Sequence, residues 1–361
     1  MSAGRPVNGL PELSDRLMNT LTGHGGRVTA VAIAPDGSWL ATASEDKTVR
    51  IWAADGTPRA TLTGHTGLVS DVAIAPDGSW LATASRDKTV RIWAADGTLR
   101  ATLTGYRHPV RAVAIAPDGS WLATASEGGA DKTARIWAAD GTPRATLTGY
   151  GGWVFAVAIA PDGSWLATAH PDKTARIWAA DGTPRATLTG YRQPVTAVAI
   201  APDGSWLATA SMDMRARIWA ADGTPRATLT GHVGWVTAVA IAPDGSWLAT
   251  ASRDKTARIW AADGTPRAIL TGHSGWVFAV AIAPDGSWLA TASRDPMARD
   301  KTVRIWAADG TLRATLTGHT GLVSDVAIAP DGSWLATASW DKTARIWAAD
   351  VATPGQDGGS Q

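Results

Sequence analysis

The chain has 361 residues, with 33 basic and 32 acidic side chains, a balance that gives no general pull toward nucleic acid or an anionic membrane. It contains no Cys, which excludes disulfides and thiolate metal or redox sites, and no stretch approaches the ~18 consecutive apolar residues of a membrane-crossing helix. The unusual count is 20 Trp beside 2 Phe and 3 Tyr.

Residues 1–14 read as a flexible tail, and the first 20 residues lack the apolar run of a signal peptide, so the expected compartment is the cytoplasm. "RLMNTLT" (16–22) follows and resembles the strand "PRATLT" that later precedes each G-H or G-Y pair. Four short runs rich in β-branched and aromatic residues come next: "VTAVAIA" (28–34), "SWLATAS" (38–44), "TVRIWA" (48–53) and "RATLT" (59–63). "PDG", "EDK" and "ADGTP" separate them with turn chemistry.

This unit is written eight times. The Trp of "APDGSWLATA" falls at 39, 80, 121, 165, 206, 247, 288 and 334, and that of "RIWA" at 52, 93, 137, 178, 219, 260, 306 and 347. The step is 41 residues, except 44 across an insert at 127–133 and 46 across one at 294–302. Such a period belongs to folds in which each unit is one small sheet packed on its neighbours. With no helical periodicity, each unit predicts a four-stranded antiparallel blade, and eight blades predict an all-β, eight-bladed β-propeller, a closure that removes exposed sheet edges. The last unit stops after its third strand at "RIWAAD" (345–350), so residues 16–22 are expected to complete the eighth blade and shut the ring. The propeller then occupies 15–350, and 351–361 is a second flexible tail.

With G-H, S-x-D-K-T and I-W recurring at these spacings, the chain resembles the WD-repeat (WD40) propeller family over residues 16–350. One departure is uniform: the Trp-Asp pair of the family is Trp-Ala in all eight units. The resemblance implies a hydrogen-bonded tetrad of His, Thr, Asp and Trp in each blade. Unit one supplies His24, Thr42, Asp46 and Trp52; unit two His65, Thr83, Asp87 and Trp93; unit six His232, Thr250, Asp254 and Trp260; unit eight His319, Thr337, Asp341 and Trp347. Unit seven offers His273, Thr291 and Trp306, with Asp300 preferred to Asp295 because it keeps the six-residue spacing to Trp. Units three to five carry Tyr106, Tyr150 and Tyr191 in place of the His, which points to an arc of less well tied blades. His108 and His170 stand outside this pattern. A catalytic or metal reading of the His and Asp residues is disfavoured, since an active site needs one asymmetric constellation and here every position repeats. No cofactor is expected.

The eight copies differ from one another in three places. Before the first Val of strand one stand Arg27, Leu68, Pro109, Trp153, Pro194, Trp235, Trp276 and Leu322. After it stand Thr29, Ser70, Arg111, Phe155, Thr196, Thr237, Phe278 and Ser324, followed by Ala except at Asp71 and Asp325. Before the turn Asp stand Glu45, Arg86, Glu127, Pro171, Met212, Arg253, Arg294 and Trp340. In an up-and-down blade these places share one end, whereas the nearly invariant "PDGS" and "ADGT" turns share the other. The spacing Val28–Val31–Ile33 breaks the period of two, which predicts a β-bulge that turns the intervening side chains toward the central opening.

The variable face leans basic, with Arg107, Arg192 and Arg299 adding to the arginines above, and interleaves Trp and Phe as interface hot spots do. The expected function is therefore a non-enzymatic scaffold that binds a protein or peptide over this face, as a monomer and without membrane attachment. It would suit the sensor module of a larger signalling protein. No G-x-x-x-x-G-K-[ST] loop is present to supply an NTPase in the same chain. The rival readings are a small-molecule or nucleic-acid binder at the central opening, nucleic acid being disfavoured by the charge balance, and a purely structural or engineered repeat with no ligand. Aromatic residues filling gaps between blades are the bland alternative for Trp153, Trp235 and Trp276.

Overall fold

The structure, a computed structural model, describes residues 16–128, 133–295, 297 and 300–349; the two tails, Asp131 and Arg299 lie outside the described residues. Strands Val28–Ile33, Trp39–Ser44, Val49–Ala53 and Pro58–Leu62 form the first blade, hydrogen-bonded in chain order, and the same order repeats around an eight-bladed ring. The eighth sheet runs Leu17–Leu21, Ala344–Ala348, Trp334–Ser339, Val323–Ile328. The segment at 17–21 thus supplies the outer strand of the last blade, with Leu21 opposite Ala344. Closure leaves the ring without an open sheet between its ends.

The expected bulge is present. In seven blades the register of strand one shifts just after its first Val, as between Val28, opposite Ser44, and Ala30, opposite Ala43. Strand two, "WLATAS", is buried along its whole length because other strands flank both its edges and a neighbouring blade covers each face. The buried apolar residues fall into clusters that each span two blades. Trp39 of blade one packs with Val69, Val72, Leu81 and Trp93 of blade two, and the last cluster joins Trp334 and Ile346 of blade eight to Val28, Leu40 and Trp52 of blade one. The repeated Trp of "GSWLA" is therefore inter-blade packing.

The tetrads form as the repeat pattern implies. In blade one Trp52 Nε1–H donates to Thr42 Oγ1 at 2.9 Å, Thr42 Oγ1 meets His24 Nε2 at 2.8 Å, and His24 Nδ1 meets Asp46 Oδ2 at 2.8 Å. A carboxylate only accepts, so Nδ1 carries the proton and Nε2 accepts from the Thr hydroxyl. Blade seven uses Asp300, at 3.0 Å from His273 Nδ1.

The three Tyr blades are tied in other ways. Tyr106 and Tyr191 hydroxyls each lie 2.6 Å from the Thr of their tetrads, Thr124 and Thr209. In blade five Asp213, which has no His to meet, pairs instead with Arg217 at 2.9 Å. Blade four departs furthest. The Tyr150 hydroxyl turns to the backbone of the preceding blade, donating to Leu147 O and accepting from Ala134 N–H. Its place is taken by His170, which stands where other blades carry Ser: Nε2 meets Thr168 Oγ1 at 2.8 Å, and the ring stacks on Tyr150 with centroids 4.0 Å apart. His170, expected from the repeat pattern to stand outside the tetrad, thus bonds the tetrad Thr, although its Nδ1 meets the Trp153 carbonyl and not Asp172. That pattern compares like positions with like and cannot show a side chain reaching across from another.

Burial holds His170 at a pKa of about 4, opposed by the hydrogen bond that its Nδ1–H donates to the Trp153 carbonyl. Because the folded value lies below that of the unfolded chain, the unfolded state takes up the proton first as pH falls. Stability from this site is full above about pH 6.5 and is lost as pH falls toward 4, by an amount on the order of a few kcal/mol. Thermal melts at pH 7 and pH 5 should show a smaller drop for His170→Ser than for the native chain; equal drops would count against this assignment.

Candidate functional site

All eight residues that follow the first Val of strand one line the mouth of the central channel on the variable face. The opening has two lobes, of about 430 and 240 Å³, which share Arg111, Arg294 and Ser324. The position before the turn Asp lines the same opening in seven blades. A backbone bond explains why two places distant in sequence vary together: Glu45 N–H donates to Arg27 O at 2.9 Å, Arg253 N–H to Trp235 O and Arg294 N–H to Trp276 O. Blade four breaks this rule for a covalent reason, since Pro171 has no N–H to give. There the Trp153 carbonyl instead accepts from His170 Nδ1 at 3.2 Å, and strand one begins only at Ala156.

Four of the five hydroxyl residues at the bulge do more than face water, Ser70 being the exception. Thr29 Oγ1 lies 3.0 Å from Ala43 O of its own blade and 2.6 Å from Val69 O of the next. Thr196, Thr237 and Ser324 make the same clasp, that of Ser324 reaching Val28 O and so crossing the ring closure. Arg111, Phe155 and Phe278 occupy the equivalent sites in blades three, four and seven, where an apolar or charged group faces the opening in place of the clasp.

Arginine and aromatic rings alternate around the rim. Arg253 lies 4.0 Å from the Trp235 ring, 4.5 Å from Trp276 and 5.3 Å from Phe278. Arg294 lies 4.7 Å from Phe278 and 5.5 Å from Trp340, and Arg27 lies 4.0 Å from the other side of this run, over Trp340. The ladder thus crosses blades six, seven, eight and one. Opposite it, Arg111 lies 5.5 Å from Phe155, whose ring contacts Trp153 at 5.8 Å. Glu45 pairs with Arg27 at 3.6 Å and Glu127 with Arg111 at 3.5 Å. Trp153 and Trp235 keep 40% and 41% of their surface exposed, and neither they nor Trp276 join the inter-blade clusters, which disfavours the gap-filling alternative.

Some members of the expected face stand elsewhere. Leu322 is buried, and its role is to offer its carbonyl to Trp340 N–H. Arg107 and Arg192 are exposed but line neither lobe, whereas Leu68, Arg86 and Met212 do. Asp71 and Asp325 are half-buried and turned to the neighbouring blade, accepting hydrogen bonds from Val113 N–H at 3.0 Å and from Val31 N–H at 3.1 Å. Among the described residues no group of three or more His, Cys, Asp or Glu could hold a metal ion.

The profile described as WD domain, G-beta repeat matches eight segments: 15–53, 56–94, 97–138, 141–179, 182–220, 223–261, 264–307 and 310–348. The chain belongs to the WD40-repeat family. Similar curated proteins share single stretches with it. A probable cytosolic iron-sulfur protein assembly protein Ciao1 of Aedes aegypti is 51% identical over 43 residues, 12% of this chain and 13% of its own. The guanine nucleotide-binding protein subunit beta of Schizosaccharomyces pombe is 41% identical over 44 residues, 12% and 14% of the two chains. The target of rapamycin complex subunit wat1 of the same yeast is 44% identical over 54 residues, 14% and 17%. The match thus spans less than a fifth of each relative's length. WD40 propellers generally serve as scaffolds for protein interaction, and no helix among the described residues is long and apolar enough to cross a membrane.

Two consequences concern stability. Phe278→Thr should restore the inter-blade clasp and raise stability by about 0.5–1.5 kcal/mol, read as a higher melting temperature; an unchanged or lower one would show that the aromatic ring contributes as much as the clasp. For the carboxylates, burial raises Asp71 to about 6 and Asp325 to about 7, the latter helped by the charge of Asp71. A folded pKa above the unfolded value means that the stabilising contribution is full below pH ~4 and is lost as pH rises through 6 to 7. Asp71→Ala/Asp325→Ala, which installs the residue found in the other six blades, should therefore gain in melting temperature over the native chain as pH rises from 5 to 8. A difference that stays constant with pH would contradict this.

Proposed function

We propose that this propeller is a non-enzymatic scaffold that binds a protein or peptide over the variable face, acting as a monomeric, cytoplasmic sensor module of a larger signalling protein. The observation that carries the reading is the bulge position. Four blades use it for a hydroxyl clasp to the next blade, Ser70 of blade two lines the opening without one, and Arg111, Phe155 and Phe278 replace the hydroxyl altogether and face the opening. Stability alone favours a hydroxyl there, so recognition is the natural reason for the exchange. The alternating Trp and Arg of the rim have the composition of binding hot spots. The relatives named as subunits of larger complexes support a role in assembly, and the one named cytosolic supports the compartment.

A lysate pull-down should compare the native chain with Trp153→Ala/Phe155→Ala/Trp276→Ala. The expected result is loss of the proteins captured by the native chain, with an unchanged thermal melt. Capture of the same proteins by a correctly folded variant would overturn the proposal.

A further inference from the structure

The two lobes of the opening differ in charge. The larger contains Glu45 and Glu127 among its arginines. The smaller, of about 240 Å³, is lined by Arg111, Arg253 and Arg294 and by no acid, with Phe155, Phe278 and Trp235 as apolar walls. Arg111 and Arg294 come from blades three and seven, opposite one another in a ring of eight, yet both line both lobes. Their charges converge over the channel instead of spreading around the rim.

Arg294 is the least compensated of the three. Its guanidinium lies against the Phe278 and Trp340 rings, and it has no ion pair with a carboxylate among the described residues. Burial, together with the neighbouring charges of Arg111 and Arg253, lowers its pKa below the usual guanidinium value. Arg111 is partly met by Glu127, and Asp295 acts on Arg253 at longer range. Asp71 and Asp325 line neither lobe. An arrangement of this kind carries repulsion that an anion between the arginines converts into attraction. Guanidinium groups held by stacking present a planar fork of N–H donors, which suits the paired oxygens of phosphate or carboxylate. The excess of charge in the lobe favours a dianion. Its volume falls below the ~300 Å³ of a site for a whole small ligand, and so suits one group of a larger one.

We infer that the lobe between Arg111, Arg253 and Arg294 seats a phosphoryl group carried on an aromatic or apolar stem of the ligand bound by the variable face. This rests on the reading of that face as the binding surface, and it adds the chemistry that the ligand must present. Arg294 supplies the central fork, Arg111 and Arg253 flank it, and Phe155 and Phe278 take the stem.

The test is isothermal titration of the full chain with phenyl phosphate, inorganic phosphate and benzoate. Phenyl phosphate should bind saturably and more tightly than either of the others. Arg294→Gln should weaken it at least tenfold, and Arg294→Lys, which keeps the charge and loses the fork, should weaken it by a smaller factor. Arg226→Gln, the same charge change on the exposed opposite face, should leave it within twofold. Absence of saturable binding, tighter binding of benzoate, equal binding of inorganic phosphate, or indifference to Arg294→Gln would each overturn the assignment. Thermal melts establish that the variants fold. The titration needs no protein partner, so it can fail while capture by the variable face persists, in which case the phosphoryl seat alone is lost.

Discussion

Burial between blades is the interaction on which the rest of this molecule depends. A single four-stranded sheet of this length cannot cover both its faces, and each blade here hides them against two neighbours. The second-strand Trp of one blade and the third-strand Trp of the next meet in the same apolar cluster, as Trp39 and Trp93 do. At ~150–250 Å² per ring and ~25 cal/mol per Å², each such Trp contributes about 4–6 kcal/mol before the cost of ordering it. The sum is useful only if no interface is missing. Closure by the segment at 17–21 follows from this: without Leu21 over the last blade, the cluster that joins blades eight and one would lie open to water on its outer side.

Once the outer three strands carry the cohesion, the innermost strand is released from some of it. The residue after its first Val, at a bulge in seven of the eight blades, stands at the channel mouth, and the ring holds whether that side chain clasps the next blade or not. Thr29, Thr196, Thr237 and Ser324 clasp; Arg111, Phe155 and Phe278 face the opening. The aromatic residues at the rim are in turn held by arginines, and the arginines by aromatic rings, so a surface rich in Trp stays ordered without being buried. Rigidity of this sort lowers the entropy lost when a ligand is bound.

Blade four shows how one substitution spreads. His170 in place of Ser brings an imidazole to the tetrad, Tyr150 leaves it for the backbone of blade three, and Pro171 withdraws the N–H that would hold the Trp153 carbonyl. The imidazole takes over that carbonyl, strand one starts later, and Trp153 and Phe155 are presented from a segment that is not paired in the usual way. The three changes compensate one another, which is why the blade keeps its place in the ring.

The architecture was legible in the sequence because a propeller is periodic. A recurring Trp, a recurring turn and a missing fourth strand state blade number, strand order and closure, and a break in the period of two states the bulge. The position of the variable face followed as well, since strand direction alone decides which turns share an end. Contacts between side chains that the repeat does not pair were not legible. Nothing in the order of residues shows that Arg111 and Arg294 reach toward each other across the channel, that Asp71 and Asp325 turn to the backbone of the neighbouring blade, that Leu322 is buried, or that His170 replaces Tyr150. Those depend on distances across the ring and on which way a side chain turns in a crowded site, and only the closed tertiary structure sets either.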